Sequence, residues 1–327
     1  IGKQFTQQLY REIEGKLNEL LRFSVFQAEA KRGGAANNDL YIHFAFTELP
    51  VISSIAFSGN AGVRTKILED KLTVKKGEFL SLPRVNAGKE ELQNLYLERG
   101  YADVIVESSY KINEATNLLD LTYAITEGRQ SKIGEIAFEG NEDLGDSVLQ
   151  KEISSKVQSL FNSGNYQASK IASDSQALQL AYQKRGYIDA KVTDVRLEEL
   201  PDDNPAIRKL KVVFVVEEGS QWMLGGIRVE GNTIYSDEQI GALLTMREGS
   251  ILDISKVQAE IGKIADLYWN EGYVENTIDI SEERDEAQHR VSYTVTIVER
   301  GQASVEQVII KGLTKTKPYV LERELAI

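Results

Sequence analysis

The chain has 327 residues, of which 42% are hydrophobic and 27% charged, the composition of a globular protein in water. Its formal net charge of -12 argues against nucleic acid or an anionic membrane surface as main partner, since both demand clustered Lys and Arg. Cysteine is absent, which excludes disulfides and thiolate chemistry.

In chain order, Phe5 to Leu21 reads as a helix, with Leu9, Ile13, Leu17, Leu20 and Leu21 on its apolar face. Val25 to Lys31 follows as a strand. Gly33-Gly34-Ala35-Ala36-Asn37-Asn38 is a hairpin tip, and Leu40, Ile42, Phe44 and Phe46 are the inward residues of the returning strand. Ser53 to Ser58 is a strand that ends in the turn Gly59-Asn60. Val63 to Lys75 is a helix with Ile67, Leu68 and Leu72 on one face, closed by Gly77. Phe79 to Pro83 is a connector. Val85 to Arg99 is a second helix with Val85, Leu92, Leu95 and Tyr96 at core spacing, stopped by Gly100-Tyr101. Val104 and Val106 alternate with Asp103, Ile105 and Glu107, the period of a strand. After a turn at Asn113 to Thr116, the residues Leu119, Leu121, Tyr123 and Ile125 mark a third strand.

This order then repeats. The strand-turn motif Ile55-Ala56-Phe57-Ser58-Gly59-Asn60 has sisters at Ile136-Ala137-Phe138-Glu139-Gly140-Asn141 and Ile227-Arg228-Val229-Glu230-Gly231-Asn232. A looser one is Val308-Ile309-Ile310-Lys311-Gly312-Leu313. The glycines at 59, 140, 231 and 312 are 81, 91 and 81 residues apart, the signature of tandem small domains. Acidic-Gly junctions at Glu127-Gly128, Glu218-Gly219 and Glu299-Arg300-Gly301 divide the chain. The expected domains are a partial first copy at 1–48, complete copies at 49–128, 129–219 and 220–301, and the start of a fifth at 302–327. That last copy opens at Val305 and enters its first helix by Ile327. Junctions this short predict an extended, jointed array.

The copy at 220–301 keeps the spacing of the copy at 49–128. Gly59 to Gly77 and Gly231 to Gly249 are both 18 residues, and Gly77 to Gly100 and Gly249 to Gly272 are both 23. The copy at 129–219 is longer. Gly140 to Gly164 is 24 residues, so its first helix is expected to gain about a turn and a half. The hairpin Leu200-Pro201-Asp202-Asp203-Asn204-Pro205 is expected to take up a second insertion.

Gly-Asn after the first strand, Gly-Tyr between second helix and second strand, and the order strand-helix-helix-strand-strand resemble the polypeptide-transport-associated (POTRA) domain. Several copies in tandem, with a tail Gly312-Leu313-Thr314-Lys315-Thr316-Lys317-Pro318-Tyr319-Val320, are similar to the outer-membrane protein assembly factor family, BamA. The first copy departs from the pattern, with Phe23-Ser24 where Gly-Tyr is expected. The resemblance implies an α+β fold of tandem POTRA domains, each with a three-stranded mixed sheet under two helices. It also implies a periplasmic scaffold that binds unfolded outer-membrane proteins and accessory assembly lipoproteins, with a C-terminal membrane barrel in cis. A related translocation factor or two-partner secretion transporter is the alternative.

In such a unit, if the third strand is central, the second is an edge with unpaired backbone groups. The expected edges are Asp103 to Ser108, Asp189 to Asp194 and Glu275 to Ile280. Val104, Val106, Ala190, Val192, Ile278 and Ile280 would face the helices. Asp103, Ile105, Glu107, Asp189, Lys191, Thr193, Glu275, Thr277 and Asp279 would flank an added client strand. The opposing consideration is that charged edge strands often resist pairing.

Other chemistry is thin. His43 alternates with Ile42 and Phe44, and His289 lies at a hairpin, neither with a partner at ligand spacing. Glu282-Glu283-Arg284-Asp285-Glu286 lacks the order of a calcium loop and reads as a hairpin tip. Gly59-Asn60-Ala61-Gly62 mimics the Gly-x-x-Gly loop of RNA-binding KH domains, but it follows a strand and the charge is wrong for RNA. No phosphate loop, paired nucleophile or metal cluster is visible, so no enzyme, catalytic residue, cofactor or metal is expected. Tyr101, Tyr187 and Tyr273 recur after a helix-stopping glycine as packing residues. Trp222 either wedges between copies or fills a core. No apolar run reaches about 18 residues, and Ile1-Gly2-Lys3-Gln4 has no signal-peptide pattern. The chain is therefore expected to be an excised segment.

Overall fold

The structure, a computed structural model, describes residues 6–19, 22–33, 39–313, 315 and 317–324. It divides into two compact units. One comprises Ile1–Ile136, Ser155–Ile171 and Leu197–Val212, the other Ala137–Ser154, Ala172–Arg196 and Val213–Ile327.

The first unit opens with α1 (Gln7–Glu19), β1 (Phe23–Gly33) and β2 (Asp39–Glu48). The two strands pair antiparallel, Ala28 opposite Phe44 and Ala30 opposite Ile42. Phe46 is half exposed rather than inward, stacked on Phe44 and tilted against Phe23. Leu20, Leu21 and the expected tip 34–38 lie outside the described residues.

The next copy runs β3 (Val51–Ser58), α2 (Thr65–Lys71), α3 (Leu82–Glu98), β4 (Ile105–Asn113) and β5 (Leu118–Thr126). Its sheet order is β3-β5-β4. β5 is parallel to β3 and antiparallel to β4, so the sheet is mixed. Leu119, Leu121, Tyr123 and Ile125 alternate along β5 and are buried in one core with Leu68, Val85, Leu92, Leu95 and Tyr96 of the helices and Leu72 just past α2. The Tyr123 hydroxyl donates to the Val85 carbonyl, and burial pushes this phenol up to about 12. The first helix is shorter than the apolar spacing suggests. It starts at Thr65, and Val63, Leu72 and Val74 are buried in its flanks, while Ile67 faces water. The second starts earlier, at Leu82, because Pro83 suits the first turn of a helix.

Two further copies follow. One has β6 (Gln130–Glu139), α4 (Asp146–Glu152), α5 (Ala168–Gln183), β7 (Lys191–Leu200) and β8 (Ile207–Glu217), in sheet order β6-β8-β7. The other has β9 (Met223–Glu230), α6 (Asp237–Gly241), α7 (Ile254–Asn270), β10 (Thr277–Asp285) and β11 (Arg290–Val298), in order β10-β11-β9. The last has its core at Leu224, Ile240, Val257, Ile261, Ile264, Tyr268, Val291, Val295 and Ile297.

The extra residues of the longer copy are not where the helix expectation put them. α4 has 7 residues, the same as α2. The insertion instead forms a loop whose tip is closed by Ser159 and Asn162. A loop can grow without disturbing a helix already fitted to its sheet. The second insertion spreads over β7, β8 and the turn between them.

Among the described residues after β11, the one helix or strand is α8 (Pro318–Glu322). Val308 to Lys311 is not a strand.

Candidate functional site

In all three complete copies the third strand is central and the second lies at a margin. The opposite margin, the first strand, is half covered. Ile52 N–H donates to the Glu78 carbonyl (2.9 Å) and Gly77 N–H to the Ile52 carbonyl (2.8 Å). Ile133 is bracketed in the same way by Gly164 and Gln158, and Leu224 by Ser250 and Gly249. Among the described residues, no backbone hydrogen bond from another element reaches the outer side of β4, β7 or β10.

The nine expected flanking residues are all exposed. Ile105, Glu107, Lys191, Thr193, Thr277 and Asp279 lie on their strands. Asp103, Asp189 and Glu275 stand two residues before them, so the strands begin later than expected. Val104, Val106 and Ala190 are buried as expected, and Val192 and Ile278 are partly buried. Ile280 is not buried: it is 52% exposed, although it stands opposite the buried Val295. Tyr110 and Ile112 on β4 and Leu197 on β7 are likewise exposed. Each margin thus carries apolar side chains in water beside open backbone. The acidic run at 282–286 lies mostly on β10, not at a tip, and Arg284 within it is paired.

Asp189 is already occupied. The Trp222 indole N–H donates to its Oδ2 (3.1 Å), and Arg284 pairs with its Oδ1 (2.8 Å). Arg284 also lies over the Trp222 ring, with His289 edge-on to it. Trp222 fills the core of its own copy and reaches the preceding one, so both readings of it hold. His43 is exposed. Tyr101, Tyr187 and Tyr273 pack edge-on against Tyr96, Tyr182 and Tyr268.

A recurring carboxylate went unread in the sequence. The acidic residue of each junction turns back into its own copy. Glu127 accepts from Tyr96 Oη (2.8 Å) and Gly62 N–H (2.9 Å). Glu218 accepts from Tyr182 Oη (2.7 Å) and the N–H groups of Asp143 and Leu144. Glu299 accepts from Tyr268 Oη (2.7 Å) and the N–H groups of Thr233 and Ile234. The loop so held follows the Gly-Asn turn. There, Asn60, Asn141 and Asn232 donate to the carbonyls of Val63, Leu144 and Tyr235. Gly140 has φ +79°, and a Cβ on it would sit 2.1 Å from the Val216 carbonyl oxygen. Burial raises Tyr96, Tyr182 and Tyr268, and the carboxylate each faces adds to it. Burial opposes ionisation of Glu299, but its hydrogen bonds from Thr233, Ile234 and Tyr268 outweigh that and hold it below the usual carboxylate range. The recurrence of Tyr four residues before each Gly-Tyr glycine was the available signal.

Three residues past each of these Glu comes a second recurring group. Gln130, Gln221 and Gln302 donate their side-chain amides to the carbonyls of Arg99, Arg185 and Glu271 at 2.7, 2.9 and 2.6 Å. The next N–H, of Ser131, Trp222 or Ala303, donates to Gly100, Gly186 or Gly272. Carbonyls at a helix C-terminus lack intrahelical partners, and here the following copy supplies them. Among the described residues no cluster of His, Asp or Glu could hold a metal, and no helix is long and apolar enough to cross a membrane.

The family described as POTRA, surface antigen variable number repeat, matches residues 50–128, 131–219 and 223–300. A Treponema pallidum protein, provisionally named an outer membrane protein assembly factor, is 31% identical over 326 residues, which is 100% of this chain and 39% of that protein. The outer membrane protein assembly factor BamA of Neisseria meningitidis serogroup B is 24% identical over 287 residues, 85% of this chain and 35% of its own length. This chain thus spans well under half of these relatives. The crystal structure of Haemophilus influenzae BamA POTRA3-5 overlaps 76% of this chain and 96% of its own, at 19% identity and a TM-score of 0.42. Three matched copies cover most of the sequence, each with a mixed sheet under two helices, and the chain belongs to the POTRA family.

Proposed function

We propose that this chain is the periplasmic POTRA region of an outer-membrane β-barrel assembly factor, with its copies divided at 48/49, 128/129, 219/220 and 301/302. It receives extended segments of unfolded outer-membrane proteins at its second-strand margins and docks accessory assembly lipoproteins. It delivers clients to a membrane barrel in cis and performs no catalysis itself. The observation that carries this reading is the outermost, uncovered position of β4, β7 and β10. A client strand added there gains main-chain hydrogen bonds, each worth about 0.5–1.5 kcal/mol net. A few such bonds, less the cost of ordering the client, give the weak and sequence-tolerant grip that a handler needs for release. Ile105, Glu107, Lys191, Thr193, Thr277 and Asp279 flank the added strand. Asp103 and Glu275 stand at its entry, and Asp189 serves the junction with Trp222.

The test is a backbone NMR titration of the chain with unfolded barrel-protein peptides and, separately, with RNA. Peptide-induced shifts along 105–113, 191–200 and 277–285 are expected. Shifts with RNA alone, or peptide shifts confined to the helices, would overturn the reading.

A further inference from the structure

The insertion that distinguishes the copy at 129–219 ends in two side chains with nothing to pack on. Leu160 is 97% exposed and Phe161 100%, while the next most exposed large apolar side chain among the described residues, Ile309, is at 67%. The backbone beneath them is well held. Ser159 N–H donates to the Asn162 carbonyl at 2.9 Å, and Asn162 N–H donates back at 3.3 Å, closing a two-residue turn. Gln158 N–H is anchored on the Ile133 carbonyl (2.8 Å), and Gly164 N–H on Asn162 Oδ1 (2.8 Å). The pair is therefore presented by a braced hairpin.

The charge of its own segment differs from the rest of the chain. There are 50 acidic residues in 327, yet none between Glu152 and Asp174. The two charges in that interval, Lys156 and Lys170, are both positive, and 157–169 is uncharged. An apolar tip whose own segment carries no acidic side chain, with Glu91 and Glu98 beside only its base at Tyr166 and Gln167, has the layout of an interfacial membrane anchor, in which rings and aliphatic groups enter the acyl boundary. A protein partner fits less well. Two side chains on a turn tip are a small part of the roughly 1,200 Å² that a stable protein interface buries.

We propose that Leu160 and Phe161 form a shallow lipid-insertion tip, which lets this copy touch a phospholipid surface. The proposal goes beyond the client-binding reading and does not depend on it.

The test is co-sedimentation of the full chain with vesicles of phosphatidylethanolamine and phosphatidylcholine. Binding by the native chain is expected, with a loss of about tenfold or more in L160S/F161S, since full burial of either side chain is worth a decade or more in an equilibrium constant. The tip packs on nothing, so the double variant should keep its circular dichroism and thermal midpoint. F161W should bind at least as well as the native chain. Its added emission, after subtraction of the native signal, should shift to the blue and be quenched by brominated acyl chains. Equal binding by native chain and double variant, no binding by either, or an added emission that brominated lipid leaves unchanged would overturn the proposal. A blue shift of that emission only with a protein partner would overturn it too. None of these results bears on the peptide titration, which contains no lipid.

Discussion

The Tyr182 hydroxyl donates a 2.7 Å hydrogen bond to Glu218, and both side chains are buried. The same pair recurs as Tyr96 with Glu127 and Tyr268 with Glu299. One carboxylate joins a helix, the end of a central strand and the loop that follows the Gly-Asn turn.

Removing that carboxylate should be costly. Glu218→Ala leaves the Asp143 and Leu144 N–H groups and a buried phenol without their acceptor, a loss of about 3 kcal/mol. Tyr182→Phe should cost about 1 kcal/mol. Amide hydrogen exchange of Leu144 is the appropriate measurement, because repeat arrays need not unfold in two states. Unchanged protection in Glu218→Ala would show that the network carries no stability.

Two glycines should behave oppositely. Gly140→Ala meets the Val216 carbonyl at 2.1 Å with φ at +79°, and should lose at least about 2 kcal/mol. Gly145, the N-cap of α4, has open space around it and φ of -61°, so in Gly145→Ala a weaker cap, costing about 1 kcal/mol, is largely offset by the lower entropy of the unfolded chain, and the net loss should stay under about 1 kcal/mol. Urea midpoints of the two variants distinguish them.

The copy at 220–301 should be sensitive at both ends of the pH scale. The folded state holds Glu299 below its ordinary value of 4.5. Its contribution is fully present above 4.5 and is lost as pH falls through the depressed value. Tyr268 is raised above its ordinary 10.0. Its contribution is fully present below 10.0 and declines as pH rises beyond it toward the raised value. Glu299→Gln should flatten the acid side, and Tyr268→Phe the alkaline side, in melting curves across pH.

The junction glutamines should act as latches. Gln221→Ala removes the donor to the Arg185 carbonyl and should lower local protection of the Trp222 N–H by about 1 kcal/mol. That N–H is bonded to Gly186 across the same junction. Exchange rates at Trp222 and at a core amide such as Val295 separate local loosening from global loss.

The exposed apolar groups on the margins should matter for binding and little for folding. Ile280→Lys on β10 should leave stability within about 0.5 kcal/mol, yet weaken unfolded-peptide binding about threefold to tenfold. Its charge would sit where an added strand packs, and charged edges oppose pairing. Equal peptide affinity in the variant would remove β10 from the proposed surface.

The sequence by itself determined the repeat, the order of elements in each copy and most of the inward positions, because apolar periodicity reports burial in a helix or strand using only local geometry. Leu119, Leu121, Tyr123 and Ile125 are buried as their alternation requires. Tertiary structure alone decided where Ile280 emerges into water, that Asp189 belongs to a junction, and that the longer copy spends its insertion on an exposed Leu-Phe tip. It also decided what the junction acids do. Alternation at Glu127, Glu218 and Glu299 says only that a strand has ended. Their acceptor role needs a phenol 31 or 36 residues away and N–H groups 65 to 75 residues away, and partners at that distance meet only once the sheet and helices have packed.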